Sequence, residues 1–139
     1  MDYLPVFLDI RNKKVVVEGN GVLAARRVER ALEAGAKVAL FAPDPTDEMA
    51  DLMSHAHLTH FARDLTEGDL TDCLLAYAAT EDSGRDKQMQ RWATAVGTLC
   101  NISNAPDLSD FISPSIVDRS PITVAISTSG KAPVIARIL

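Results

Sequence analysis

A β-branched apolar run, Val15-Val16-Val17, leads into Glu18-Gly19-Asn20-Gly21, and apolar positions recur afterwards at Leu23, Val28, Ala31 and Leu32. The run reads as a buried strand over 15–18. The later spacing predicts an amphipathic helix over 22–34, which Gly35 ends. A second apolar run predicts a strand over 37–42, and Pro43-Asp44-Pro45 breaks the chain behind it. Thr46 stands where an N-cap would start a helix running to about residue 55. Alternation in Leu58-Thr59-His60-Phe61 predicts a short strand. Thr66, with Asp69 three residues on, starts a short helical stretch near Leu70. A buried strand over 74–79 follows. A helix over 84–96 comes next, carrying Met89, Trp92, Ala93 and Val96, with Gly97 as its stop. Strands are also expected over 3–8, 99–102 and 122–127, and Pro133 suits the first position of a last helix.

Strand and helix patterns alternate, so the expected class is α/β: a Rossmann-like, mostly parallel sheet with helices on both faces. Ligands of such sheets sit beyond the carboxyl ends of the strands. Those ends fall at 19–22, 43–44, 80–82, 103–106 and 127–130, all rich in small and polar residues.

Composition narrows the function. At 139 residues the chain suits one domain, spanning 1–139, with a sizeable core. Its formal net charge of -5 and lack of a basic stripe leave no electrostatic footprint for nucleic acid. No apolar run has the length of a membrane span, and the acidic start (Asp2, Asp9) does not read as a signal peptide. A cytoplasmic protein with two reduced cysteines, Cys73 and Cys100, is the expectation. His55, His57 and His60 fit no standard ligand spacing, so no metal site is assigned.

The chemistry centres on Gly19-Asn20-Gly21-Val22-Leu23-Ala24. Gly19 permits a tight turn, Gly21 lets backbone approach a pyrophosphate, and Ala24 takes the small position where helix meets strand. The open N–H groups of the helix start would face the anion. The acidic residue expected near the end of the second strand is Asp44, after Pro43. It is either a ligand of an adenosine ribose or a solvated turn residue. No Arg or Lys follows that strand closely, which favours NAD over NADP. The acids Glu81, Asp82 and Asp86 either rim this cleft or cap the helix that follows.

Several longer stretches resemble one family. They are Leu4-Pro5-Val6-Phe7, the glycine loop through Arg26-Arg27, Ala78-Ala79-Thr80-Glu81-Asp82 and Cys100-Asn101-Ile102. The most specific runs from Phe111-Ile112-Ser113-Pro114-Ser115 to Asp118-Arg119-Ser120-Pro121, followed by Val124 to Gly130 and Pro133 to Arg137. Together they resemble the dehydrogenase/ferrochelatase part of siroheme synthase, along essentially the whole chain. The resemblance implies oxidation of precorrin-2 to sirohydrochlorin with NAD, and in many members insertion of Fe²⁺. It also implies a homodimer. By position, Val22-Leu23 and Pro43-Asp44 would contact NAD, with Thr80 and Asn101 on its nicotinamide half. Ser113, Ser115, Arg119 and Thr128 would line the tetrapyrrole pocket. Arg119 would pair with a substrate carboxylate or serve a structural salt bridge.

Three positions depart from the family pattern. Asn104 stands where the family has an Asp held to be important for catalysis, and an amide cannot serve as a general base. Asn20 replaces the middle glycine of a triple-glycine loop, although Asn tolerates the left-handed region. Thr128 replaces a serine and keeps the hydroxyl. Family members also continue beyond the position of Leu139 into a helical dimerisation segment, which this sequence is expected to lack. The competing expectation is a non-catalytic NAD-binding regulatory module, or an inactive family member.

Overall fold

The computed structural model describes residues 1–127. Five short strands form one parallel sheet: β1 (Lys14–Glu18), β2 (Lys37–Phe41), β3 (Leu58–Phe61), β4 (Leu75–Ala78) and β5 (Leu99–Ile102). Their spatial order is β3-β2-β1-β4-β5. The chain builds outward from β1 in one direction, then returns and builds outward in the other. β1 is therefore the central strand, pairing Val16 with Ala39 of β2 on one side and with Ala76 of β4 on the other. The carboxyl ends of β1 and β4 flank the point where the order reverses. That is where such sheets open a crevice.

Alternation along β1 sends its valines to two cores. Val15 and Val17 pack with Val38, Leu40 and Leu75 under helix α1 (Val22–Glu33), which supplies Ala24, Val28, Ala31 and Leu32. Val16 faces the opposite way, into Phe41, Ala76, Cys100 and Ile102 beneath α3 (Ser83–Ala95), which supplies Met89 and Ala93. Both faces are covered, as the alternating pattern predicts. Each fully buried valine or leucine contributes about 1.5–3 kcal/mol, so the sheet and its two helices hold the fold.

Three boundaries differ from the sequence reading. Residues 3–8 form no strand. Leu4 and Phe7 are exposed, Pro5 has no N–H to donate, and no strand among the described residues pairs with the segment. The helix after Thr46, α2, is only Asp47–Ala50 before it loosens into turns. Thr46 does not cap it, because its hydroxyl donates instead to the Asn20 carbonyl at 2.5 Å. The strand expected over 122–127 is β7 (Ile122–Ile126), but it does not extend the parallel sheet. It pairs antiparallel with β6 (Ser115–Arg119), whose β-branched Ile116 and Val117 carry the signal for it. A two-residue turn, Ser120-Pro121, makes this local partner far cheaper in chain entropy than a crossover back to the sheet. The fifth strand of the parallel sheet is therefore β3, and β7 lies outside that sheet. The expected helix at Pro133, and Thr128, lie outside the described residues.

Elsewhere the local reading holds. Thr66 and Asp69 form a reciprocal capping box on a 3-10 turn, Glu67–Leu70. The two cysteines are free and buried, and burial pushes the Cys73 thiol up to about 11 and the Cys100 thiol up to about 12. The histidines have local partners: His60 Nε2 meets the Ala42 carbonyl at 2.8 Å, and His55 Nδ1 accepts the His57 N–H at 3.0 Å.

Candidate cofactor and substrate site

The glycine loop is built on one contact. Gly19 has φ +144°, and a Cβ there would lie 2.2 Å from the Ala79 carbonyl oxygen. The loop thus presses directly on the end of β4, which only glycine permits. Its neighbour differs. A Cβ on Gly21 would meet nothing nearer than a Glu81 carboxylate oxygen at 3.9 Å. Gly21 is the N-cap of α1, with no side-chain cap, and no acidic residue stands in the helix's first turn. The first N–H groups of a twelve-residue helix are left open at the mouth of the crevice. This arrangement fits a pyrophosphate: no close contact at Gly21, free donors and a positive helix end, with the Glu81 carboxylate at its rim.

Asn20 secures the loop to the end of β2. Its side-chain N–H donates to the Asp44 carbonyl at 3.0 Å, while its own carbonyl accepts from Thr46. Pro43 and the exposed Asp44 carboxyl therefore stand beside the loop, on the side where an adenosine ribose would lie. Val22 is half-exposed at the helix start, with Leu23 next to it.

Beneath the loop, Glu18 ends β1 almost fully buried, at 2% exposure. Its carboxylate accepts the Leu65 N–H at 2.7 Å and a forked pair from Arg85, the shortest also 2.7 Å. Arg85 donates as well to the Leu65 carbonyl, and its guanidinium lies over Trp92. The Glu18 partnership holds the Arg85 guanidinium even more firmly charged than usual. One ion pair thus joins the end of β1, the loop after β3 and the start of α3.

On the other side of the crevice, a cleft of about 290 Å³ opens beyond β5. Arg27, Asn101, Asn104 and Ser113 line it, with Ile112 and Pro106 as apolar wall. Asn101 is buried, and its amide N–H donates to the Phe111 carbonyl at 2.9 Å. Its Oδ1 makes no hydrogen bond, and neither do Arg27 Nε and Ser103 Oγ. Buried polar atoms are normally satisfied. Two of the three, on Arg27 and Asn101, belong to residues that line this cleft and mark a place where a polar ligand would complete the structure. Asn104 itself sits at φ +62°, in the left-handed region that asparagine tolerates better than most side chains.

The remaining candidates fall in different places. The Thr80 hydroxyl donates to Asp86 at 2.6 Å and accepts the Asp82 N–H at 3.1 Å, so it is engaged in the start of α3. Asp82 caps that helix through the Arg85 N–H. Ser115 opens β6, whereas Arg119 lies four residues along that strand, about 13 Å away, beside the hairpin turn. Arg119 donates to the Asp118 carbonyl and does not line the cleft. Two groups now prominent, Arg27 and the Glu18–Arg85 pair, were not singled out from the sequence. Arg27 reads there as one of two adjacent helix arginines, and no local pattern announces a pair separated by 67 residues.

Residues 6–115 match the family model described as "Putative NAD(P)-binding". The chain belongs to that NAD(P)-binding family. Within it, the chain is similar over all its 139 residues to siroheme synthase of Nitrosococcus oceani, at 41% identity, and to siroheme synthase 1 of Klebsiella pneumoniae, at 40%. It spans about 30% of the length of each of these curated relatives. Among solved structures, SirC, a precorrin-2 dehydrogenase, superposes with a TM-score of 0.76 at 25% identity, covering 98% of this chain and 67% of that one. The resemblance to siroheme synthases and the Rossmann-like class are therefore both borne out. No described helix is long and apolar enough to cross a membrane.

Proposed function

We propose that this chain is the NAD-dependent precorrin-2 dehydrogenase unit of a siroheme synthase, acting in the cytoplasm. The observation that carries the reading is the crevice itself. An uncapped helix start faces one half of it, and a cleft lined by two residues with unsatisfied polar atoms, Arg27 and Asn101, lies on the other half. Bound NAD supplies the hydride acceptor. The chain's residues bind and orient. The N–H groups at the start of α1 hold the pyrophosphate, Asp44 takes the ribose hydroxyls, and Asn101 Oδ1 accepts from a carboxamide or a pyrrole N–H. NAD rather than NADP is supported on the adenosine side. Arg63, just past β3, is engaged by both oxygens of Asp69 at 2.8 Å and so is not offered to a 2′-phosphate.

Oxidation of precorrin-2 to sirohydrochlorin removes a hydride and a proton. The described lining of the cleft holds no carboxylate to take that proton, and Asn104 stands where a base would serve. The proton then leaves to water, and turnover is slow. Anaerobic NADH formation from precorrin-2 and NAD, compared between this chain and Asn104→Asp, tests this. A base is worth about 10²–10⁴-fold, and the aspartate form is expected to gain on that scale. No NADH from either form, with NAD binding intact, would overturn the dehydrogenase assignment. It would leave the alternative that Asn104 favours, an NAD-binding module without turnover. Insertion of Fe²⁺ into sirohydrochlorin also releases protons, so the proposal extends to chelation only for the aspartate form.

The partner we propose is a second copy of the chain. Hairpin β6–β7 exposes Ile116, Val117, Ile122 and Val124, and the initial segment exposes Leu4 and Phe7. A two-stranded ribbon is marginal alone and gains stability by packing its apolar face.

A further inference from the structure

Arg27 lies six residues past Gly21 on α1, about 9 Å along the helix from the pyrophosphate end. It is half-buried, its guanidinium sits 5.8 Å from the centre of the Tyr77 ring, and Phe111 meets that ring edge-on at 5.5 Å. Among the described residues the four ion pairs engage Arg11, Arg30, Arg63 and Arg85 with carboxylates, and Arg27 is in none of them. Its Nε is buried without a hydrogen-bond partner. Desolvation makes its charged form less favourable than that of a free arginine. A half-buried, incompletely bonded guanidinium costs stability unless a ligand completes it. The cleft in front of it holds amides, hydroxyls and apolar wall, with no described acid to compete.

We propose that Arg27 is the carboxylate receptor of the substrate cleft, pairing through its planar fork with one acid side chain of a polycarboxylate tetrapyrrole and setting the macrocycle over Asn101 and Asn104. The assignment rests on the dehydrogenase reading above and names the residue by which that site holds its substrate. A chain of net charge -5 needs such a local cation to receive a polyanion. The Tyr77 ring adds an aromatic face within cation–π reach of the guanidinium.

The test is equilibrium binding of sirohydrochlorin to the full chain, followed by quenching of protein fluorescence. NAD binding and the thermal midpoint are measured on the same samples. Arg27→Gln is expected to weaken sirohydrochlorin binding by about 10–100-fold, the value of a charge-assisted pair, with NAD affinity unchanged and the thermal midpoint equal or higher. Arg27→Lys recovers part of the loss, since it restores charge without the fork. Unchanged sirohydrochlorin affinity in Arg27→Gln overturns the inference and leaves the dehydrogenase reading standing. Loss of NAD affinity in parallel overturns it too, and moves Arg27 to the dinucleotide. No binding of sirohydrochlorin by the unaltered chain, with NAD bound, overturns both.

Discussion

Gly19 and Gly21 look equivalent in sequence and do different things in the structure. The first is required by the chain itself, because the Ala79 carbonyl occupies the space a side chain would need. The second is required by nothing in the chain and leaves room for a ligand. The two alanine variants should therefore separate. Gly19→Ala should lose at least about 2–3 kcal/mol of stability in a denaturant titration, from strain and overlap combined. Gly21→Ala should keep its unfolding midpoint and lose NAD affinity about tenfold or more in a binding titration, as backbone approach is blocked. Equal stability loss in both would remove Gly21 from the cofactor site. At this scale the sequence is informative about where a residue type falls relative to a strand end. Gly19, Gly21 and Asn104 all stand at strand ends, as their spacing foretells. Arg27 was invisible, because its significance is the missing partner, and that is a property of three-dimensional surroundings.

At the scale of elements, strands and helices were legible because period-2 and period-3.6 patterns report which faces are buried. The failures share a cause. Residues 3–8 carry strand-like apolar content yet pair with no described strand, and β7 takes its partner from β6 rather than from the parallel sheet. Pairing is a non-local property, so apolar content alone does not decide it. The same holds for Glu18. From the sequence it ends a strand; in the fold its charge is buried and joined to Arg85 on a distant helix. Arg85→Met would leave that carboxylate uncompensated among apolar neighbours, at a cost of about 3 kcal/mol or more. Urea denaturation measures this directly. A loss within the scatter of surface substitutions would mean that water, not Arg85, stabilises Glu18.

Across the whole molecule, the parallel sheet is covered on both faces, while hairpin β6–β7 is open on both, with Ile122 65% exposed. If a second copy covers the hairpin, a charge placed on it should separate the protomers and spare the sheet. Val124→Asp is expected to reduce the sedimenting mass from dimer to single chain, with the far-ultraviolet spectrum retained. A single-chain mass before the substitution would remove the dimer. The strand order, in turn, would distribute the proposed site between two halves, the adenosine side on β1 and β2 and the substrate side on β4 and β5. The bonds of Asn20 to Asp44 and Thr46 lock the first half before any cofactor arrives. That has a calorimetric consequence. With the loop already ordered, NAD association should show a heat-capacity change no larger than the surface it covers, without the excess negative contribution that accompanies coupled folding.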